Sequence, residues 1–275
     1  MGCRVIDTII QGDCLGVMAG IADESIDLTV TSPPYDNLRD YKGYTFDFEG
    51  IAQQLYRVTK QGGVVVWVVG DATINGSETG TSFKQALYFK EIGFNLHDTM
   101  IYSKISGTMP HTNTYTNAFE FMFVLSKGIP KTINIIADRA NKCFGRATGS
   151  WTVRELDGNL TSRKSLNIAQ HGVRYNIWEY ATGKGSVARD EIAHNHPAIF
   201  PEALARDHIL SWSNEGDIVL DPMCGSGTTC KMALIYDRHY IGIDTSEEYC
   251  EIARQRVADA KMIKDGQPTL FEVAK

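Results

Sequence analysis

Apolar residues follow two kinds of spacing along the chain, one typical of buried strands and one typical of amphipathic helices. Ile26–Val30 and Val64–Val69 are short, nearly continuous apolar runs, as in strands that are covered on both faces. Between them, apolar residues recur at helical spacing over 48–58, and Gly62-Gly63 is expected to end that helix. Further strands are predicted at 96–102, 119–125, 217–221 and 240–244, and further helices at 14–20, 83–91, 203–212 and after a capping box at Thr245 and Glu248. The alternation predicts a doubly wound α/β sheet.

The first strand runs directly into Thr31-Ser32-Pro33-Pro34-Tyr35, where the two prolines must end it. Neither proline has an N–H for a strand ladder, and each holds the residue before it in an extended conformation. Ser32 then offers a hydroxyl acceptor, Pro33 a carbonyl acceptor and Tyr35 a flat ring, at the sheet edge where open α/β folds bind ligands. Two fixed acceptors and a stacking face suit a planar group with an amino substituent. A strand-ending turn without chemistry is the alternative.

A glycine loop follows the strand predicted at 217–221. After Asp221 the chain reads Pro-Met-Cys-Gly-Ser-Gly-Thr-Thr, and Gly225 and Gly227 allow a sharp turn and a close backbone approach to a ligand. The helix that is predicted next presents free N–H groups to an anion such as a carboxylate. A nicotinamide-binding loop would read G-x-G-x-x-G, and a nucleotide hydrolase would have a lysine after the glycines. This loop has neither pattern.

Together the two stretches resemble the β class of DNA amino-methyltransferases that use S-adenosylmethionine (SAM), in which the catalytic tetrapeptide precedes the cofactor loop. The resemblance covers almost the whole chain apart from its middle region. It implies a Rossmann-like class I methyltransferase sheet with helices on both faces, a circularly permuted motif order and a small inserted target-recognition region. It also implies methyl transfer from SAM to the exocyclic amine of a base flipped out of duplex DNA, with Ser32, Pro33, Pro34 and Tyr35 as the catalytic residues.

The resemblance also assigns residues to the cofactor. Asp13, in a Gly-Asp pair, takes the place of the acid that binds the adenine amine, and a helix N-cap is the alternative for it. Asp244 ends a strand 23 residues after Asp221, an offset at which nucleotide-binding folds accept ribose hydroxyls. The segment from His196 to Pro201 is similar to the family segment that walls the cofactor pocket. The full set of expected SAM-binding residues is Asp13, Thr31, His196, Phe200, Pro201, Asp221, Pro222, Cys224, Gly225, Ser226, Gly227, Thr228 and Asp244.

Charge is distributed unevenly along the chain. The formal net charge is −6, but residues 127–189 contain eleven Lys or Arg and four Asp or Glu, so this segment is +7 and the remainder −13. Such asymmetry is the electrostatic footprint of a polyanion site, with a solvated basic surface as the alternative. We therefore expect a catalytic part at 1–126, an inserted target-recognition region at 127–189 and a SAM-binding part at 190–275, with double-stranded DNA as the partner. The candidate DNA contacts are Arg39, Arg139, Lys142, Arg146, Arg163, Lys164 and Arg174.

Composition argues against several other kinds of protein. No stretch approaches about 18 uninterrupted apolar residues, and the N-terminus lacks the apolar core of a signal peptide, so a cytoplasmic protein without a membrane partner is expected. The six cysteines include no C-x-x-C pair, which argues against zinc and against a disulfide framework. His194 and His196 have only Glu191 close by, so no metal site is expected.

The choice of base rests on one residue of the tetrapeptide. Serine in its first position, as Ser32, is typical of enzymes that act on N4 of cytosine, whereas Asp or Asn there is typical of adenine N6, with exceptions in both directions. Cytosine N4 is therefore favoured over adenine N6. Methyl transfer to RNA or to a glutamine amide is less favoured, as is a non-enzymatic DNA-binding protein that senses SAM. The resemblance permits a homodimer but does not require one.

Overall fold

The computed structural model describes residues 6–34, 46–104, 115–183, 185, 187–196, 199 and 201–266. Three residues expected in the site, Tyr35, Arg39 and Phe200, lie outside these ranges. The chain divides into two compact units, one formed by residues 1–134 and 176–275 and a smaller one formed by Ile135–Tyr175. The smaller unit lies inside the segment 127–189 that the charge pattern singled out.

The described residues form the following elements, which are named in chain order. The strands are β1 (Thr8–Gln11), β2 (Ile26–Thr31), β3 (Thr59–Val69), β4 (Thr73–Ile74), β5 (Ser77–Glu78), β6 (Asn95–Lys104), β7 (Phe119–Ser126), β8 (Arg139–Ala140), β9 (Trp151–Arg154), β10 (Leu160–Arg163), β11 (His171–Gly172), β12 (Ile177–Tyr180), β13 (Ile218–Asp221) and β14 (His239–Asp244). The helices are α1 (Cys14–Ala19), α2 (Phe48–Val58), α3 (Thr81–Glu91), α4 (Glu202–Trp212), α5 (Thr228–Ile235) and α6 (Glu247–Lys264), with a 3-10 turn at Glu191–Asn195.

The larger unit is built on a sheet whose described strands lie in the order β1-β14-β13-β2-β3-β7-β6-β12. Neighbouring strands run parallel except at β7, which is antiparallel to both β3 and β6. β1, β2, β13 and β14 therefore end at one common edge of the sheet, although β2 and β13 are far apart in the chain. The predicted α/β fold is confirmed.

Helices cover both faces of this sheet. Val65, Trp67 and Val69 of β3 share a buried core with Leu55 of α2 and Phe89 of α3, and α1 adds to the same core. On the other face, α4 packs on β2 and β3, α5 on β13 and β14, and α6 on β1 and β14. β2 and β3 are buried along most of their length because each is covered from both sides.

Two local expectations were wrong. Gly62-Gly63 does not end helix α2, because the helix stops at Val58 and β3 already begins at Thr59, so both glycines lie within the strand. Thr59 pairs with Ile26 of β2, and Gly62 accepts a left-handed φ of 82° while its N–H bonds to the Lys127 carbonyl. In the same way, helix α6 is capped by Ser246, whose hydroxyl accepts from the Tyr249 N–H, and not by Thr245.

The smaller unit consists of short antiparallel ribbons. β9 pairs with β10, β8 pairs with β11, and an isolated bridge joins Ala147 to Asn167. Of its large apolar side chains, Phe144, Leu156, Leu160, Leu166 and Tyr175 are exposed. The unit therefore buries little apolar surface of its own. Across the described part of the whole chain, no helix is long and apolar enough to cross a membrane.

Candidate cofactor and base site

The site lies where β2 and β13 end side by side. Val219 and Leu220 of β13 are in register with Leu28 and Thr29 of β2, which brings Thr31 next to Asp221. The Thr31 hydroxyl donates to Asp221 Oδ1 at 2.8 Å, and both residues are buried. The predicted catalytic turn and the predicted cofactor loop, 190 residues apart in the chain, are thus joined at their bases.

Asp221 is a buried carboxyl group that anchors the loop. Its Oδ1 also accepts from the Met223 N–H at 3.2 Å, which starts the turn after β13. Burial raises the pKa of Asp221 to about 6, against the opposing effect of hydrogen bonds from Thr31, Thr229 and the Met223 N–H. The group therefore keeps its proton to a higher pH than an exposed aspartate does.

The two glycines of the loop are required by its shape. Gly225 has φ +48°, and a Cβ there would lie 2.7 Å from His196 Nε2. Gly227 has φ +75°, and a Cβ there would lie 2.6 Å from the Cβ of Ala253 in helix α6. Gly227 also forms the N-cap of α5, and no side chain among the described residues caps that helix, so its first N–H groups can face a ligand. This arrangement suits the carboxylate end of SAM.

His196 lies beside the loop, next to Gly225. Its ring packs edge-on against the ring of Tyr249, with centroids 4.3 Å apart. His196 also ends the 3-10 turn 191–195, and Pro201 is the buried N-cap residue of α4. Among the described residues there is no group of three His, Cys, Asp or Glu that could hold a metal ion.

Asp244 and Asp13 lie at the ends of two neighbouring strands. Asp244 Oδ2 accepts from the Gly225 N–H and its Oδ1 from the Ser246 N–H, each at 2.9 Å, so its carboxylate is held against the loop. Burial raises the pKa of Asp244. The Asp13 side chain accepts from the Gly16 N–H at 3.2 Å and caps α1, which shows that the helix cap considered for it is present. Capping does not occupy all the lone pairs of its carboxylate.

The structure adds Arg256, a residue that sequence reasoning missed. Its side chain is fully buried in α6, and Nη1 donates to the Ser226 carbonyl at 2.6 Å, to Ser226 Oγ at 3.0 Å and to Thr228 Oγ1 at 3.1 Å. Arg256 thus holds the glycine loop from below. A signal was available, because Arg256 lies on the apolar stripe formed by Ile252 and Ala253, where a cation must be buried and paired.

Arg256 belongs to a buried ion network. Its Nε bonds to Asp190 and its Nη2 to Glu202 Oε1 at 3.0 Å, while Lys231 Nζ bonds to the same two acids, to Glu202 at 2.6 Å. Burial opposes ionisation of Asp190, but the two cations outweigh it and hold its pKa at about 2. The network joins α4, α5 and α6 beneath the loop.

The network also determines which atoms of the glycine loop are available to a ligand. The hydroxyls of Ser226 and Thr228, both expected at the cofactor, are turned inward to Arg256. Cys224 is buried, its N–H donates to the Ile243 carbonyl and its carbonyl accepts from the Gly227 N–H. A hydrogen bond with Cys230, together with burial, raises the pKa of the Cys224 thiol. The loop therefore presents backbone groups to a ligand.

The remaining predicted residues of the catalytic turn and loop lie at the same edge. Ser32 and Pro34 are half-buried, and Pro33 and Pro222 are buried.

In the smaller unit, Arg163 is paired with Glu155 at 3.1 Å and Arg174 with Asp138. Lys142, Arg146 and Lys164 are exposed, and within the described ranges they have no carboxylate partner.

Solved structures with the same fold are described as a DNA methyltransferase and a DNA modification methylase. PvuII DNA methyltransferase, titled cytosine-N4-specific, superimposes with a TM-score of 0.67 at 19% identity, covering 95% of this chain and 93% of that chain. TTHA0409 of Thermus thermophilus, solved in complex with S-adenosyl-L-methionine, has a TM-score of 0.60 at 22% identity and covers 92% of this chain and 95% of that one. Together they define the class I methyltransferase fold of the larger unit.

The chain belongs to the DNA methylase family, whose model matches residues 26–255. The orphan methyltransferase M.BamHII of Bacillus amyloliquefaciens is 60% identical over 239 residues, which is 86% of this chain and 90% of the relative. The type II methyltransferase M.BglII of Bacillus subtilis is 26% identical over 267 residues, 91% of this chain and 68% of the relative. The protein is a SAM-dependent DNA methyltransferase of the N4/N6 class, as the resemblance implied.

Proposed function

We propose that this enzyme methylates N4 of a cytosine that is flipped out of duplex DNA. The observation that carries the proposal is the 2.8 Å hydrogen bond between Thr31 and Asp221, which fixes the start of the Ser-Pro-Pro turn beside the cofactor loop. Preference for cytosine over adenine N6 rests on serine at position 32. Adenine N6 is the second candidate, because it presents the same amine beside a ring nitrogen.

The proposed chemistry is positioning by fixed acceptors. The amino nitrogen of cytosine is a poor nucleophile, because its lone pair conjugates with the ring. Ser32 Oγ and the Pro33 carbonyl would accept the two amine hydrogens and draw the nitrogen toward a tetrahedral shape, so that the lone pair is exposed. When bound, SAM would supply the electrophilic methyl group. As the nitrogen bonds to the methyl carbon, the carbon–sulfur bond would break with its electron pair left on sulfur, and the methylated amine would lose one proton to solvent. Flipping the base costs a few kcal/mol, of which stacking on Tyr35 can return about 1–3 kcal/mol.

The cofactor is assigned to the edge formed by the glycine loop and the two strand-ending acids. Asp221 offers a buried carboxylate for the amino end of SAM, Asp244 offers lone pairs for its ribose, and Asp13 for its adenine amine. The backbone around Gly225, supported by His196, suits the carboxylate end because a side chain is excluded there.

Duplex DNA is assigned to the smaller unit. Residues 135–175 contain seven Lys or Arg and three Asp or Glu, and the exposed cations Lys142, Arg146 and Lys164 lack a carboxylate partner among the described residues. Such cations bind phosphates without regard to sequence. A homodimer and a cytoplasmic location remain predictions.

Nucleoside mass spectrometry of duplex DNA after incubation with SAM tests the choice of base. We expect N4-methylcytosine; N6-methyladenine alone would contradict the proposal.

Ser32→Ala should lower turnover by about 10²–10³-fold, since it removes an acceptor used in the transition state, and should leave SAM and DNA affinity nearly unchanged. Ser25→Ala, which removes a hydroxyl at the opposite end of β2, serves as the control. Wild-type turnover in the Ser32 variant would show that the Ser32 hydroxyl has no catalytic role.

A further inference from the structure

One arginine of the smaller unit, Arg139, is held by neutral neighbours and, among the described residues, not by a carboxylate. Arg139 lies in β8 opposite Gly172 of β11. A Cβ at position 172 would lie 2.5 Å from Arg139 Nη2 and 3.2 Å from its Cζ, so the guanidinium rests directly on the glycine backbone. A side chain larger than hydrogen at position 172 would displace it.

Two further contacts fix the same guanidinium. Its centre lies 4.6 Å from the centroid of the Tyr175 ring, in a cation–π arrangement, and Arg139 Nε donates to the Val173 carbonyl at 3.0 Å. Tyr175 is 65% exposed, so this stack lies at the surface. An arginine held on three sides has already lost most of the rotamer freedom that it would otherwise lose on binding.

The terminal donors of Arg139 are left without a partner. Arg163 and Arg174 each bond to a carboxylate, whereas neither Nη atom of Arg139 has a hydrogen-bond acceptor within the described part of the chain. Two parallel N–H donors in a fixed plane match O6 and N7 of guanine in the major groove, which is the commonest base-specific contact of arginine. A phosphate can accept from the same two donors, but it carries no sequence information, so the two contacts differ in how the rate depends on the DNA sequence.

We propose that Arg139, stacked on Tyr175 and seated on Gly172, is a specificity-determining residue that reads a guanine in the DNA recognition sequence. The inference rests on the proposed role of the smaller unit in binding duplex DNA and adds the base that the unit recognises. Tyr175 and Gly172 are positioning residues, because they act only through the arginine.

The test begins by sequencing modified bases in plasmid DNA treated with the wild-type enzyme, which defines the methylated sequence. Single-turnover rates are then measured on that duplex and on duplexes in which one G·C pair at a time is replaced. Arg139→Ala and Arg139→Lys are compared with Lys142→Ala, an exposed cation of the same unit. Melting temperature and SAM affinity confirm that each variant is folded.

We expect Arg139→Ala to slow methylation of the cognate duplex by about 5- to 150-fold. The variant should be indifferent to replacement of one particular G·C pair that slows the wild-type enzyme. Arg139→Lys should not restore the rate or the preference for that G·C pair, because the lysine ammonium lacks the two parallel N–H donors of the guanidinium. Gly172→Ala should reproduce part of the effect by displacing the guanidinium, and Lys142→Ala should weaken all sequences alike.

Two results would overturn this inference alone. Loss of rate in Arg139→Ala that is equal on every duplex, with a shallower salt dependence, would show a phosphate contact. Unchanged rates would show that the residue does not touch DNA. Failure of the wild-type enzyme to methylate any duplex would instead overturn the proposed function, and this inference with it.

Discussion

At the scale of single residues, burial gives Asp221 a property that an exposed aspartate does not have. Its pKa is raised to about 6, because the end of β13 is closed off from water beneath the glycine loop. A cation placed nearby favours the carboxylate form and lowers the pKa again. The ionisation of Asp221 is therefore coupled to the binding of a cationic ligand.

SAM affinity should consequently depend on pH. If the amino group of SAM binds next to Asp221, it requires the ionised carboxylate. Below about pH 6 the carboxyl group carries a proton, and binding must displace that proton, so protons compete with SAM. Affinity should be greatest near pH 7 and roughly tenfold weaker at pH 5, as measured by calorimetry. Asp221→Asn should bind weakly with no such slope, whereas Asp244→Asn should keep it. A flat wild-type profile between pH 5 and 7 would place Asp221 away from the ligand.

At the scale of elements, helix α6 supports the cofactor loop through one side chain. Arg256 bonds to Ser226 and Thr228 in the loop and to Asp190 and Glu202 on its other side. Buried ion pairs contribute little net stability, but removing one partner leaves an uncompensated charge. The value of this network lies in fixing the loop backbone.

Replacing Arg256 should therefore affect both stability and SAM binding. Arg256→Met should lower the free energy of unfolding by about 3–5 kcal/mol. Arg256→Lys keeps the charge but loses the several N–H donors of the guanidinium. We expect a smaller loss of stability than in Arg256→Met, and SAM affinity that is weaker by about tenfold or more. Thermal melts and calorimetry measure the two effects separately.

Arg254→Met is the matched control for Arg256. Arg254 is two residues away in the same helix but pairs with the exposed acids Glu247 and Glu251, and such surface pairs are worth about 0–1 kcal/mol. We expect this variant to keep SAM affinity. If Arg256→Lys also binds SAM like the wild type, Arg256 stabilises the fold without positioning the loop.

At the scale of the whole molecule, positive charge is concentrated on a chain that is acidic overall. The formal net charge is −6, yet the unit 135–175 contains four more basic than acidic residues. An acidic scaffold repels DNA phosphates, so we expect the basic unit to supply most of the electrostatic attraction. Within that unit, ion pairs with Glu155 and Asp138 already engage Arg163 and Arg174.

Binding to duplex DNA should weaken steeply with salt, because cations that contact phosphates release counterions. Lys142→Gln combined with Lys164→Gln should make the slope of log K against log salt shallower by about 2. Fluorescence anisotropy at several salt concentrations measures this slope. Lys90→Gln combined with Lys261→Gln removes the same charge from exposed positions outside the unit and should leave the slope unchanged. Salt-independent binding would mean that these cations do not face DNA.

The sequence alone was sufficient for the features that depend on neighbouring residues. A strand that meets two prolines at Pro33 must stop, and glycines after Asp221 must turn the chain, so both strand ends and the family could be predicted and are confirmed. The roles of the individual side chains remain predictions. The end of α2 was misplaced because pairing of Thr59 with β2 outweighs the local preference of Gly62.

Only the tertiary structure decided which distant residues meet. Arg256 reaches Ser226 across 30 residues and Asp190 across 66, and Arg139 reaches Val173 across 34. Periodicity assigns a residue to a buried face or an exposed one, but it carries no information on the partner. A buried or fixed cation obtains its role from the acceptors and rings around it, and those are set when the chain folds.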